Sequence, residues 1–397
     1  MKFIALPVSQ GDAFYAETDG FRVLVDGGRS RTALQMLFRK YAKSDKVDIL
    51  VCTHNDADHA EGVIGFLQSG LRCKELWLPT TWLDAIVRLP ANPYETFRLL
   101  NDRFIPLAQE KLPDETEDDV QEAAWRAVFP KFQESSTQLQ REELPTSEES
   151  DGSVSVGDVF TDIEALEQHI DLLEHYIDLL CCSPRYWRSP FPYGDKRGIL
   201  AKTVLRDTRR LMELARLALH LGIPIRCFRH EPQNARPVAG CSRYPLYSLS
   251  GPQVYRVSRP KPRREADSFF QVAFLTTVNR ESLVCYLDSG NGPGVLFTAD
   301  SDLKDMDLQN VRRGDIVTAP HHGSTDNRDA YGRIGKPVMW VRSDGYSKRR
   351  PCAEYLSAPQ KRFCTLCRDS RQPKQAVKLS ERHGTWVPVQ TRGCACR

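Results

Sequence analysis

A strand-length apolar run, Val47, Ile49, Leu50 and Val51, passes into a helical apolar pattern, Val63, Ile64, Phe66 and Leu67. The junction between them reads His54-Asn-Asp56-Ala-Asp58-His59. No other stretch constrains the chain as tightly. Ligand-type side chains at the end of a strand and just ahead of a helix occupy the place where α/β folds put their chemistry. Two imidazoles and two carboxylates fall within six residues. That donor set suits a borderline-to-hard divalent ion such as zinc, manganese or iron, rather than copper(I) or calcium. The competing reading is a polar loop in which an Asp caps the next helix. Capping accounts for one carboxylate and leaves a second carboxylate and both histidines unexplained.

The surrounding pattern is that of an α/β protein. Segments 2–8, 13–18 and 21–26 read as short strands joined by Gln10-Gly11-Asp12 and Thr18-Asp19-Gly20, and Thr32–Tyr41 reads as a helix. Leu76–Pro79 reads as a further strand, so strands and helices alternate through residues 1–80. The pattern changes over 81–222, expected to be a helical insertion. Within it, Trp82–Phe104, Asp162–Cys181 and 198–221 have helical character, and 107–151 is an acidic, polar segment that buries little. His169 and His175 lie six residues apart on one of these helices and do not share a face. Strand character returns at Ile223–Phe228, Tyr244–Ser248, Val254–Val257, Phe269–Thr277, Ser282–Asp288, Val295–Thr298, Ile316–Ala319 and Val338–Arg342. Residues 1–80 and 223–345 are therefore expected to be two halves of one core, followed by a Cys-rich extension, 346–397.

Composition narrows the class. The 397 residues are 41% hydrophobic and 27% charged, enough for a large core, and the net charge of +3 creates no protein-wide basic field. No window is apolar for the length of a membrane span. The N-terminal Met-Lys-Phe-Ile-Ala-Leu-Pro-Val reads as a strand rather than an export signal, so a cytoplasmic location without membrane contact is expected. In that setting the 12 cysteines are expected as thiols or metal ligands, not disulfides.

Three more segments end apolar runs in groups that bind metal or move protons. They are Asp26 in Val25-Asp26-Gly27-Gly28, Asp300 in Thr298-Ala299-Asp300, and the pair in Pro320-His321-His322-Gly323-Ser324. Together with Ser9-Gln10-Gly11-Asp12 and Asn279-Arg-Glu-Ser282-Leu-Val284, these motifs make the chain resemble the metallo-β-lactamase fold hydrolases. Among those it is most similar to the hydrolase domain of the DNA-uptake protein ComEC. The resemblance covers roughly 1–80 and 223–342 and implies an αββα sandwich with the metal site at one edge. It further implies two divalent ions, zinc or manganese, held by His54, Asp56, Asp58, His59, Asp300 and His321. Asp12, Asp26 and Ser324 would support them. Asp58 and His322 would be catalytic, with His322 contacting substrate phosphate or donating a proton. Ser9 and Ala299 stand where the family has glycine. No clear counterpart exists of the isolated mid-chain histidine of many relatives; His230 is the nearest candidate.

Asp56 stands where most relatives have a second imidazole, which makes the donor set harder and shifts preference toward manganese or magnesium. By the same resemblance the substrate is a phosphodiester of DNA or RNA. The basic residues Arg259, Lys261, Arg263 and Arg264, and a second run at Lys348-Arg349-Arg350, are candidate phosphate contacts. Two other readings stay open: a hydrolase of a small ester, lactone or cyclic nucleotide, and a non-catalytic metal-binding subunit docking a protein partner through the insertion. The tail carries Cys364-x-x-Cys367 and Cys394-x-Cys396, with Cys352 and His383 also available. Two close cysteine pairs can form a closed structural zinc site, and free thiols are the alternative.

Overall fold

The structure is a computed structural model that describes residues 1–80, 153–155, 168, 171, 196–234, 245–258, 281–335, 338–343, 350–358, 361–367 and 373–396. The chain divides into two compact units. One comprises Met1–Leu83, Arg210–Tyr255 and Val278–Arg397; the other comprises Asp84–Arg209 and Arg256–Thr277. Outside the described residues lie the helical readings at Trp82–Phe104 and, apart from isolated positions, Asp162–Cys181. The acidic segment 107–151, His169, His175, the strand reading Phe269–Thr277 and Arg259, Lys261, Arg263 and Arg264 also lie outside them.

The elements in chain order begin β1 (Lys2–Ala5), β2 (Phe14–Thr18), β3 (Phe21–Val25), α1 (Arg31–Ala42), β4 (Lys46–Val51), α2 (Ala57–Gln68) and β5 (Arg72–Pro79). They continue with β6 (Ser153–Ser155), α3 (Lys196–His220), β7 (Ile225–Phe228), β8 (Leu246–Ser248), β9 (Gln253–Val254) and β10 (Arg256–Ser258). The last are β11 (Cys285–Leu287), β12 (Val295–Phe297), β13 (Ile316–Thr318), α4 (Asp329–Ile334), β14 (Met339–Arg342), α5 (Ala353–Ser357), β15 (Arg362–Cys364), β16 (Val377–Arg382) and β17 (Thr385–Pro388). In the first unit a nine-stranded sheet runs β17-β16-β1-β2-β3-β4-β5-β7-β9, and a six-stranded sheet runs β15-β14-β13-β12-β11-β8. In the second unit β10 pairs antiparallel with β6. The segment Val254–Val257, which reads as one strand, is two. β9 joins the large sheet through β7, β10 pairs with β6, and the exposed Tyr255 separates them.

Period-two alternation builds the core. Phe3, Ala5, Phe14, Ala16, Val23, Val25, Ile49, Val51 and Trp77 point from the large sheet into one apolar layer. Cys285, Leu287, Val295, Phe297, Ile316 and Val341 point into the same layer from the small sheet. Trp77 is fully buried there, 4.7 Å from the Phe228 ring, and its truncation to Ala would cost about 3–5 kcal/mol. The alternate residues face outward onto helices. Tyr15 packs edge-on against Phe38 of α1, which packs on Phe66 of α2. Across the molecule Tyr286, Leu296, Val317 and Trp340 meet Ala330 and Ile334 of α4 and Tyr355 of α5. The result is four layers, helices–sheet–sheet–helices, an αββα sandwich.

Local chemistry fixes the helices that flank the ligand-bearing loops. Ser30 caps α1 through Ala33 N, Leu34, Phe38 and Ala42 bury one stripe, and Lys43 closes the helix in a left-handed conformation. α2 approaches the turn after β3 closely: Gly62 N donates to Gly28 O, and a Cβ on Gly62 would lie 1.9 Å from Gly27 O. Only glycine fits there. The C-terminal segment supplies β15 to the edge of the small sheet and β16 and β17 to the edge of the large one.

Candidate metal centre

Parallel strands aim the chemistry. β3 and β4 are parallel neighbours in one sheet, and β12 and β13 are parallel neighbours in the other. Asp26 follows β3, His54 to His59 follow β4, Asp300 follows β12, and His321 and His322 follow β13. Asp12 comes from the loop between β1 and β2. Asp56 occupies the N-cap position of α2 but makes no side-chain capping hydrogen bond; its Oδ2 lies 3.7 Å from His54 Nε2. The competing reading of that loop as a simple helix cap is thereby set aside.

Four histidines converge on Asp300, each held by its Nδ1. His59 Nδ1 donates to Asp26 Oδ2 at 2.9 Å, and His322 Nδ1 donates to Asp12 Oδ1 at 2.9 Å. Thr53 Oγ1 donates to Asp26 Oδ2, so it accepts from His54 Nδ1 at 3.0 Å. Asn327 Nδ2 donates to the Asp300 carbonyl, which turns its Oδ1 toward His321 Nδ1 at 3.2 Å. For the neutral rings these partners set one tautomer throughout: Nδ1 carries the proton, and Nε2 faces inward.

The inward atoms divide evenly. His54 Nε2 and His321 Nε2 lie 3.5 and 3.4 Å from Asp300 Oδ2. His59 Nε2 and His322 Nε2 lie 3.5 and 3.8 Å from Asp300 Oδ1. Asp56 stands by His54 in the first set, and Asp58 Oδ2 stands 3.3 Å from His322 Nε2 in the second. The buried His54 Nε2 has no hydrogen-bond partner among the described residues, and His59 Nε2 faces His322 Nε2 at 3.2 Å. Buried imidazole nitrogens aimed at each other and at one carboxylate are what a cation between them would satisfy. Two overlapping groups could hold an ion here: Asp12, His59, Asp300 and His322, and His54, Asp56 and Asp300.

Electrostatics show the same demand for positive charge. Burial penalises the Asp300 carboxylate, yet His321, His59, His54 and His322 together hold it well below the usual range. Burial also opposes protonation of His59 and His322. Asp300, Asp26 and Asp58 nevertheless hold His59 well above the ordinary histidine value, while Asp12 and Asp300 raise His322 to about 9. His321 is pushed down to about 4, chiefly by burial. Burial raises Asp56.

The backbone at these strand ends is strained. Asp26, Ala299, His321 and His322 have φ of 58°, 48°, 47° and 52°, the left-handed region that non-glycine residues avoid. Ala299, where the resembled family has glycine, therefore sits in a glycine conformation.

Several predicted residues stand apart. Ser324 Oγ bonds Asp326 and caps the short turn that follows; toward the histidines it offers only its backbone N–H, which donates to His321 O at 2.9 Å. His230 belongs to neither His/Asp group; the charge that acts on it is Asp302. Arg350, the described member of the second basic run, opposes protonation of both His321 and His322. Sequence reasoning missed Thr53 and Asn327, which orient imidazoles, and Arg210 of α3. Arg210 bonds the Asn55 carbonyl and pairs with Glu61 at 3.1 Å, tying the ligand loop to the helix behind it.

Residues 6–70 match the family model of the metallo-beta-lactamase superfamily. The match takes in Asp12, Asp26 and the whole His54 to His59 motif. No curated protein matches the chain. The two-sheet sandwich is consistent with the metallo-β-lactamase fold, and the strands that carry Asp300, His321 and His322 lie beyond the matched segment. Among the described residues no helix is long and apolar enough to cross a membrane.

Proposed function

We propose that the chain is a two-metal hydrolase of phosphodiesters, acting on DNA or RNA. The observation that carries this reading is the even division of four imidazoles over the two oxygens of Asp300. A carboxylate so surrounded would serve both of two ions held by these residues. His54, Asp56 and His321 would complete the first position, and Asp58, His59 and His322 the second. The His321-His322 pair would thus give one imidazole to each, with His321 taking the part of the mid-chain histidine that the chain lacks. His322 becomes a ligand in this reading rather than a phosphate contact.

When bound, two divalent ions would polarise a phosphoryl oxygen and acidify water to near neutrality. Asp56 in place of an imidazole favours manganese over zinc. Asp58 keeps 19% of its side chain exposed, which suits it to orient the attacking water and accept its proton on a carboxylate oxygen. Asp12 and Asp26 hold His322 and His59 in the tautomer that leaves Nε2 unprotonated for a ligand role. Arg350 would steady the anionic substrate. The resemblance to the ComEC hydrolase domain favours a polynucleotide, and the insertion would dock a protein partner.

Metal-loaded protein is expected to cleave single- or double-stranded DNA or RNA, to stop on chelation, and to recover best with manganese. Turnover of cyclic nucleotides, esters or lactones without any polynucleotide cleavage would replace this reading with that of a small-substrate hydrolase. Full metal loading without turnover of either class would make the chain a binding subunit.

A further inference from the structure

A second cluster lies away from the His/Asp centre. The Sγ atoms of Cys364, Cys367, Cys394 and Cys396 all lie within 4.8 Å of one another. Cys364 and Cys367 are 3.3 Å apart, and Cys364 and Cys396 are 3.9 Å apart. A tetrahedral site with metal–sulfur bonds of about 2.3 Å has sulfur–sulfur edges of about 3.8 Å. Disulfides join thiols in pairs, whereas here four converge on one point. Cys364, Cys367 and Cys396 are buried, so the cluster is closed on nearly all sides.

The surroundings suit a tetrathiolate. Ala395 N donates to Cys367 Sγ at 3.3 Å, and the buried Arg342 donates through Nη2 to Cys396 Sγ at 3.3 Å. Backbone N–H and guanidinium donors to sulfur offset the excess negative charge of four thiolates around a dication.

The place in the fold gives the cluster a task. β15 is the outermost strand of the small sheet and ends in Cys364; β17 is the outermost strand of the large sheet. After β15 the chain crosses to the other sheet to form β16 and β17. It then returns to β15, where Cys394 N donates to Arg362 O. An ion among the four sulfurs would staple the two sheets together at this edge. Arg342 also carries the staple toward the other centre. Its Cδ lies 2.9 Å from where a Cβ on Gly323 would be, directly after His322.

We propose that Cys364, Cys367, Cys394 and Cys396 bind one structural zinc ion that closes the edge of the sandwich. Zinc fits four thiolates in a tetrahedron, and with no open position the site does no chemistry.

The test uses the full-length, reduced protein. After chelation strips the His/Asp centre, one zinc per chain is expected to remain, with X-ray absorption showing a sulfur-only shell at about 2.3 Å. Protein loaded with cobalt(II) is expected to show thiolate-to-cobalt charge transfer and the strong visible bands of a tetrahedral site. A Cys394→Ser/Cys396→Ser variant would lose both signals and melt at least about 5 °C lower, whereas Cys73→Ser would keep them. The measurements on the unaltered chain stand even if the double variant does not fold. No retained metal, retained iron, a nitrogen-containing shell, or a native Cys364–Cys367 disulfide would overturn the proposal.

Discussion

The His/Asp centre and the cysteine cluster differ in how they are assembled. The first gathers side chains from the β1–β2 loop to the turn after β13, mixes nitrogen with oxygen donors, and leaves Asp56 and Asp58 partly exposed, at 28% and 19%. The second draws four sulfurs from the last few dozen residues and is almost wholly buried. A catalytic site must keep a rim open to substrate, and its ligands can come from distant loops only if strands hold those loops rigidly. A structural site has the opposite need: it closes its own coordination and so holds loops that no strand holds. In this chain the strands orient the side chains of the His/Asp centre, and in the proposed reading the cysteine cluster ties down the strands.

The contrast can be tested from its strongest point downward. His321→Ala and His322→Ala are each expected to lower the number of exchangeable ions from two to one and to cut hydrolysis by at least about a hundredfold. Equilibrium metal counting with turnover would show this, and two retained ions in either variant would break the even division around Asp300. Asp12→Asn and Asp26→Asn leave the ligands in place but disturb the tautomers of His322 and His59. Each should weaken metal affinity or activity about 10–100-fold, measured by metal titration, without touching the thiolate zinc. Gly62→Ala forces a methyl into the Gly27 carbonyl and should destabilise by about 1–3 kcal/mol in denaturant unfolding. The smallest effect belongs to Ala299→Gly. Relief of its left-handed φ should raise stability by about 0.5–1 kcal/mol in the same assay, and a loss of stability would show the backbone there to be unstrained.

Much of the first centre was legible in the sequence because its groups punctuate strand ends. His54 to His59 are contiguous, and Asp300 and the His321-His322 pair each follow an apolar run. What the sequence hid was orientation. Both histidines of the pair have left-handed backbone, which turns adjacent side chains toward different oxygens of one carboxylate, and no residue pattern announces this. Thr53 and Asn327 escaped notice because a threonine or asparagine in a loop has many ordinary uses. Arg210 escaped because it belongs to a helix far along the chain, read only as an amphipathic element. In the tail the two close cysteine pairs left a structural zinc site and free thiols as alternatives. Strands β16 and β17 are short and carry polar residues on their outer faces, so the crossing between sheets that gives the site its task was not visible.

In the proposed reading both ion positions share Asp300, so the decisive measurement counts ions and follows phosphodiester hydrolysis together in the unaltered chain and in Asp300→Ala. The unaltered chain is expected to carry two exchangeable divalent ions besides the thiolate zinc and to hydrolyse a phosphodiester such as bis(p-nitrophenyl) phosphate. Asp300→Ala should keep the thiolate zinc, lose both exchangeable ions, and fall in rate by at least about a thousandfold. If Asp300→Ala keeps both ions and its rate, Asp300 bridges nothing and the chemistry lies elsewhere in the molecule.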